Sequence, residues 1–320
     1  MSTLNPSEIR VAVLAGGTSS EREVSLASGE QVCLALTSVG YYNEFIDTKD
    51  AFQTIDKLEK GGFDVAFIAL HGKGGEDGCI QGLCEFIGIP YTGSGVLSSA
   101  LSMDKSRSKL VYQEHGIPTA PFVSIGRGKA HDIDEIIAAV GEKCVVKPVG
   151  DGSSVGITIV RDRAQLEEAL NVAFATGEDA IVESFIEGVE VTVAVLGNDT
   201  PEALPIIEIV PHAEFYDFRV KYEKNGADHI IPARIDKDVY ELTQRYAVQA
   251  HRGLGCRGVS RSDFIIDPER GPVILETNTI PGMTPTSLLP DTARYQGYDF
   301  PTLCSMLVEF ALEDAARGVK

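Results

Sequence analysis

Gly258-Val259-Ser260-Arg261-Ser262-Asp263-Phe264-Ile265-Ile266, the turn Asp267-Pro268-Glu269-Arg270-Gly271-Pro272, and Val273-Ile274-Leu275-Glu276-Thr277-Asn278 form the most informative stretch of this chain. Two β-rich runs flank a cluster of turn residues, which predicts a hairpin. With the turn centred between Glu269 and Arg270, Asp263 falls opposite Glu276, their β-carbons ~5 Å apart. A period of two puts Asn278 on the same face as Glu276. Like charges placed opposite one another destabilise a sheet unless a cation bridges them, and an oxygen-only set of this size suits Mg²⁺ completed by substrate phosphates. The alternative is an exposed acidic hairpin whose facing pair depends on register alone.

Upstream, residues 11–15, 21–39, 65–70 and 78–87 alternate β-rich and helical runs with glycine punctuation, the texture of a parallel α/β unit. A helix over residues 107–115 ends at Gly116-Ile117-Pro118, ahead of an extended run at 119–125, and a boundary falls near Asp104. Beyond it, β-rich runs at 145–147, 156–160, 181–185 and 191–196 surround one helix at 164–175, which reads as α+β. Residues 238–255 form an amphipathic helix with Val239, Leu242, Tyr246 and Ala250 on one face. Residues 215–228 lack a period and read as a long mobile loop.

Three glycine-rich segments carry further chemistry. Lys147-Pro148-Val149-Gly150-Asp151-Gly152-Ser153-Ser154-Val155-Gly156 lies between two predicted strands, where amides and Lys147 could cradle phosphate; the alternative is a flexible hairpin turn. It matches neither the Walker A nor the kinase glycine pattern. Gly16-Gly17-Thr18-Ser19-Ser20-Glu21-Arg22-Glu23 and His71-Gly72-Lys73-Gly74-Gly75-Glu76-Asp77-Gly78 each follow a strand and emerge at one sheet edge, outlining a pocket for a small charged molecule. Glu21 or Glu23 taken alone reads rather as an acid serving the helix macrodipole or a capping box, and either loop taken alone could be a plain turn. Lys105, Lys147, Lys221 and Arg261 are the cations nearest these motifs.

At 320 residues the chain suggests two or three domains. Its 28 Lys and Arg against 47 Asp and Glu give a net charge of −19, which argues against nucleic acid or an anionic membrane as partner. Six scattered cysteines form no C-x-x-C pair, so reduced thiols and a cytoplasmic setting are expected. No targeting segment or apolar run of ~20 residues is read.

Taken in order, these runs resemble the D-alanine:D-alanine ligases of the ATP-grasp superfamily, together with Tyr91-Thr92-Gly93-Ser94-Gly95, Met103-Asp104-Lys105, Phe215-Tyr216-Asp217, Lys221-Tyr222, Glu276-Thr277-Asn278-Thr279 and Pro281-Gly282-Met283-Thr284. The resemblance spans nearly the whole chain. It implies an N-terminal parallel α/β domain (1–104) followed by a two-part ATP-grasp fold, with a central subdomain bearing the phosphate lid (105–190) and a C-terminal one bearing the hairpin and mobile loop (191–320). It also implies a cytoplasmic homodimer that uses ATP to join two D-alanines through an acyl phosphate, for peptidoglycan precursor synthesis.

Carried over by position, Lys105 and Lys147 meet ATP phosphates, Lys221 the γ-phosphate, Glu183 with Phe185 and Ile186 the adenine, Glu190 the ribose and Phe215 the base. Asp263, Glu276 and Asn278 hold two Mg²⁺, with Mn²⁺ able to substitute. Glu21 and His71 bind the first D-alanine, Ser153 and Tyr222 join Glu21 in closing the loop, Arg261 and the Gly282 amide hold the oxyanion, and Ser287 and Leu288 seat the second D-alanine. Ser184 departs from the family, standing where lysine flanks the adenine. Tyr222 resembles enzymes whose second substrate is D-alanine rather than D-lactate. An ester-forming or other ATP-grasp ligase, a small-molecule kinase and a non-catalytic nucleotide-binding regulator remain as alternatives.

Overall fold

The computed structural model describes residues 5–150, 155–212 and 227–318. Val11 to Leu14 are wholly buried because β1 (Arg10–Ala15) lies between β2 (Tyr42–Asp47) and β3 (Val65–Ile68), in the order β2-β1-β3, and both pairings are parallel. A continuous apolar run is what a doubly covered parallel strand requires. The helices α1 (Arg22–Ser38), α2 (Ala51–Lys60), α3 (Cys79–Ile87) and α4 (Val96–Met103) follow these strands. Because the sheet is parallel, the loops after β1 and β3 leave at the same edge, as their glycine content led us to expect.

The next sheet is antiparallel, ordered β4-β7-β5-β6: β4 (Phe122–Ile125), β5 (Cys144–Pro148), β6 (Thr158–Val160) and β7 (Ala180–Ser184). The helices α6 (Ile133–Val140) and α7 (Leu166–Phe174) cover it, with Ile136, Val146 and Leu170 in a core of its own.

The third sheet is also antiparallel, with the order β11-β10-β8-β12-β13: β8 (Val189–Leu196), β10 (Ile207–Pro211), β11 (Ala227–Ile230), β12 (Val259–Asp267) and β13 (Gly271–Asn278), with the short β9 (Glu202–Ala203) beside β8. Its inner face packs Val191, Val193, Phe264 and Ile274 against Tyr112 of α5 (Lys105–Glu114) and Ala247 of α8 (Lys237–Gly253). Two helices, α9 (Leu288–Gln296) and α10 (Phe300–Ala316), then return to the first sheet, where Leu303 and Leu307 share a core with Val11, Val13 and Leu36.

Three expectations need adjustment. In α8 the fully buried residues are Thr243, Ala247, Ala250 and His251, while Val239, Leu242 and Tyr246 are half-buried. A stripe of small residues lets the helix lie close to the sheet, and the larger apolar groups flank that contact. The hairpin turn centres on Glu269, because Asp267 pairs with Gly271; a bulge at Leu275 restores the Asp263–Glu276 pairing nearer the site. Of the loop expected over 215–228, residues 227 and 228 belong to β11, and the rest lies outside the described residues.

The hydroxyl of Tyr112, wholly buried, donates to Thr277 Oγ1 at 2.9 Å and ties α5 to β13. Tyr112→Phe should lower the unfolding free energy by about 1 kcal/mol, read from the urea midpoint at unchanged slope. An unshifted midpoint would show that this link contributes nothing.

Candidate active site

The antiparallel register pairs Arg261 with Asn278 and Asp263 with Glu276, so four polar side chains share one face of the hairpin. The other face is occupied by Ser262 and Thr277, whose hydroxyls meet at 2.9 Å beneath Tyr112. Arg261 grips Asp263 through Nε and Nη2, both at 3.0 Å, and Thr192 on β8 donates to the same carboxylate at 2.5 Å. Lys105, the first residue of α5, brings Nζ within 3.4 Å of Glu276. Each carboxylate of the facing pair therefore has its own side-chain cation. Asn278 Oδ1 accepts from the Ile280 amide at 2.8 Å, which fixes the amide on the same face.

Two carboxylates and one amide are a donor set for a hard divalent cation. Among the described residues no group of three His, Cys, Asp or Glu could hold a metal. Asp263, Glu276 and Asn278 are oxygen donors of the kind that Mg²⁺ takes together with phosphate oxygens and water.

Beside the hairpin, Lys147 on β5 reaches Glu183 on β7 at 3.1 Å, and Lys109 on α5 reaches the same oxygen at 3.3 Å. Burial works against the Lys147 ammonium, but Glu183 and Glu276 outweigh it and hold its pKa above the ordinary lysine value. Burial would likewise raise the Glu183 carboxyl, yet Lys147 and Lys109 pull it below the usual range. The Lys105 amide donates to the Val149 carbonyl at 3.1 Å, so the start of α5 touches the glycine loop. Phe185 and Ile186 follow β7, and Lys143 Nζ lies 4.1 Å from the centre of the Phe185 ring. Ser184 turns away, donating to the Val140 carbonyl at 2.8 Å, so its hydroxyl does not replace a lysine. Glu190 lies two residues before Thr192 on β8, on the face that also carries the Asp263 contact.

From the first sheet, Glu21 occupies the N-cap of α1 but its side chain makes no capping bond, so the capping explanation of this residue fails. It is 5% exposed. A side chain at Gly72, whose φ is +69°, would come within 2.9 Å of the Glu21 carboxylate. His71 is enclosed next to Ser28 Oγ at 3.3 Å. Burial pushes its pKa down to about 4; a hydrogen bond to the Ile280 backbone works the other way and Arg261 adds to the fall. His71 is therefore a neutral imidazole near neutral pH. Glu76 accepts from the Gly72 amide at 2.7 Å, and burial, followed by the charge of Glu21, pushes its carboxyl well above the ordinary range.

Downstream of the hairpin, Ser287 stands at the N-cap position of α9, its hydroxyl engaged with Thr284 and not with the helix amides, and Leu288 begins the helix. A β-carbon on Gly282 would lie 2.8 Å from Ser287 Oγ, so any side chain at this position would crowd that hydroxyl.

The structure thus gathers Lys105, Lys147, Glu183, Arg261, Asp263, Glu276 and Asn278 around one face, linked to the first sheet's loops through Arg261. Ser153, Phe215, Lys221 and Tyr222 lie outside the described residues. Sequence reasoning assigned no task to Glu76, although it stands inside a quoted motif. It passed over Lys109 as well, because a sealed lysine reads in sequence like any solvated one.

Residues 43–94 match the family described as "D-ala D-ala ligase N-terminus" and residues 111–309 the one described as "D-ala D-ala ligase C-terminus". Among curated relatives, a D-alanine--D-alanine ligase of Desulforamulus reducens is 46% identical over 311 residues, covering 95% of this chain and 99% of its own. One from Pelobacter propionicus is 48% identical over 311 residues, covering 97% of each. The solved structure of the D-alanine--D-Alanine ligase from Bacillus anthracis complexed with ATP superposes with a TM-score of 0.86 at 31% identity, over 97% of this chain and 99% of that one.

His251, wholly buried and 2.8 Å from Ser260 Oγ, is also pushed down to about 4 by burial. The unfolded chain therefore takes up protons on His71 and His251 near pH 6.5 while the folded one does not. Their stabilising neutrality is complete above that pH and is lost as pH falls toward 4. Each should remove up to about 2 kcal/mol between pH 7 and 5. In His251→Gln, the urea midpoint should fall less between those pH values than in the wild type; equal falls would exclude His251 from the linkage.

Proposed function

We propose, for a chain that belongs to the D-alanine--D-alanine ligase family, that its hairpin face joins two D-alanine molecules at the expense of ATP, supplying a peptidoglycan precursor. The observation that carries this reading is the meeting of Asp263 and Glu276 across the hairpin with Lys105 at 3.4 Å, next to the Lys147–Glu183 pair. Lysines, paired carboxylates and a glycine loop at one place are what delivery of a γ-phosphoryl group requires.

Lys105 and Lys147 neutralise the phosphates, Glu183, Phe185 and Ile186 border the adenine, and Glu190 meets the ribose. Lys221, Phe215, Ser153 and Tyr222 keep the tasks that the family resemblance gives them, as the γ-phosphate ligand, base packing and loop closure. Asp263, Glu276 and Asn278 would hold Mg²⁺, or Mn²⁺, whose positive charge offsets that of the phosphates when bound. The Glu21 carboxylate takes the ammonium of the first D-alanine, with neutral His71 beside it. The carboxylate of that D-alanine attacks the γ-phosphorus, ADP departs, and the product is an acyl phosphate. The amine of the second D-alanine, its carboxylate seated at Ser287 and Leu288, adds to the acyl carbon and gives a tetrahedral oxyanion that Arg261 and the Gly282 amide stabilise. Collapse expels phosphate and the amine proton is released, leaving the dipeptide.

We place the division of the chain at 1–104, 105–190 and 191–320, because each sheet falls within one part apart from the start of β8 at Val189. A homodimer in the cytoplasm completes the reading. Among the described residues no helix is long and apolar enough to cross a membrane.

Purified protein with ATP, Mg²⁺ and D-alanine should release ADP and D-alanyl-D-alanine in equal amounts, the dipeptide identified by mass. A phosphorylated product without dipeptide would make it a kinase, and preference for D-lactate an ester-forming ligase. Chelation of divalent cations should stop turnover, with Mg²⁺ restoring it; full activity in chelator would remove the metal role from the hairpin. Arg261→Ala should lower kcat by on the order of 10² to 10³, because an oxyanion donor is lost and Asp263 is released from its bidentate partner. Near-normal kcat in that variant would remove Arg261 from the reaction.

A further inference from the structure

Lys109 has no task in the reaction above, yet among the described residues it is the most enclosed cation of the site, its side chain 0% exposed. Its ammonium lies 3.3 Å from Glu183 Oε2, donates to Thr119 Oγ1 at 2.7 Å, and stands 5.7 Å from the centre of the Phe122 ring. Thr119 in turn donates to the Ile274 carbonyl at 3.0 Å, so the lysine is anchored to β13. Burying an ammonium costs several kcal/mol unless it is paired, so a sealed lysine is retained only where its charge is matched.

The second observation concerns Glu183. Lys109 and Lys147 both address Oε2, while Oε1 is buried and has no hydrogen-bond partner among the described residues. An unsatisfied buried carboxylate oxygen is costly, which points to a ligand group that completes it. The two lysines differ in access, since Lys147 retains 12% side-chain exposure and Lys109 none. A lone Lys147–Glu183 pair would set two tasks against each other: when the lysine turned to a phosphate it would leave the carboxylate bare in a poorly solvated place. A second, immobile cation on the same oxygen removes that conflict.

We infer that Lys109 is a positioning residue for nucleotide binding: a fixed counter-ion that holds the Glu183 carboxylate with Oε1 presented to the amino edge of the base, and so releases Lys147 to the phosphates. The inference rests on the ATP pocket proposed above. The depressed pKa of Lys109, due first to burial and opposed by Glu183, accords with a site enclosed enough for this coupling to be strong.

The test is steady-state kinetics of the full chain as wild type, Lys109→Met, Glu183→Gln and the double variant, each checked for folding by thermal melting. Lys109→Met should raise the KM for ATP about tenfold and leave the KM values for D-alanine within about twofold. Because Lys109 acts through Glu183, adding Lys109→Met to Glu183→Gln should change the KM for ATP by less than about twofold. Equal rises for ATP and D-alanine, or effects that multiply independently in the double variant, would overturn the inference. Should Lys109→Met fail to fold, Lys109→Gln keeps a donor toward Thr119, carries the same expectations and can fail in the same ways. Glu183→Gln raising the KM for ATP while neither Lys109 variant does so overturns the role of Lys109 alone; an unchanged KM for ATP in Glu183→Gln overturns the pocket and the inference together.

Discussion

The pairing of Asp263 with Glu276 across the hairpin is the constraint on which the site depends. Because side chains alternate along a strand, a slip of one residue between β12 and β13 would send one carboxylate of the pair to the helix-packed face. The bulge at Leu275 sets this register: on its turn side the strands pair one residue out of step with the site side. The neighbouring strand obeys the same rule, since Thr192 of β8 stands opposite Asp263 on the other flank and donates to it. Along β8, Val191, Val193 and Val195 enter the helix-covered core while Glu190 and Thr192 take the site face. One sheet thus has an apolar side that holds it in place and a polar side that carries the candidate site.

Electrostatics on that polar side follow from burial in a strongly acidic chain. With a net charge of −19, long-range attraction for a polyanion is absent, and any affinity for phosphate must come from cations held at short range. The structure sets them in alternation with acids: Arg261 on Asp263, Lys105 on Glu276, and two lysines on Glu183. Such pairs offset most of one another's desolvation cost and leave little net field. Phosphates and a divalent cation can enter such an array by exchanging partners, so binding need not strand a charge in the interior.

The sequence carried the parts of this arrangement that depend on local rules. Alternation gave the facing carboxylates, glycines after β1 and β3 gave the loops, and apolar runs gave the parallel sheet. What it could not carry depends on distant packing. The stripe of α8 that meets the sheet is chosen by the small residues Thr243, Ala247 and Ala250, whereas hydropathy favours the larger Val239, Leu242 and Tyr246. Lys109 looks like a solvent-exposed helix residue until Thr119 and Phe122 of one segment and Glu183 of another close around it. Glu76 sat in a legible motif, but its raised pKa comes from burial and from Glu21, more than fifty residues earlier.

The apolar cores determine which of these groups move together. Val11 and Val13 of the first sheet share one core with Ala194 and Leu196 of β8, Met283 and Leu289 on either side of Ser287 in the chain, and Leu303 of α10. Glu21, His71, the hairpin and the start of α9 are thereby held as one block. The β4-β7-β5-β6 sheet, which carries Lys147 and Glu183, closes a core made only of its own strands and helices. Polar links such as Lys105 to Val149, Lys109 to Glu183 and the ion pair between Lys73 and Glu178 join it to the block. Opening is easiest where little apolar surface has to be uncovered, so the seam between this sheet and the block is where the nucleotide of the proposed reaction would enter. The charged residues at that seam are those whose partners a bound phosphate would replace.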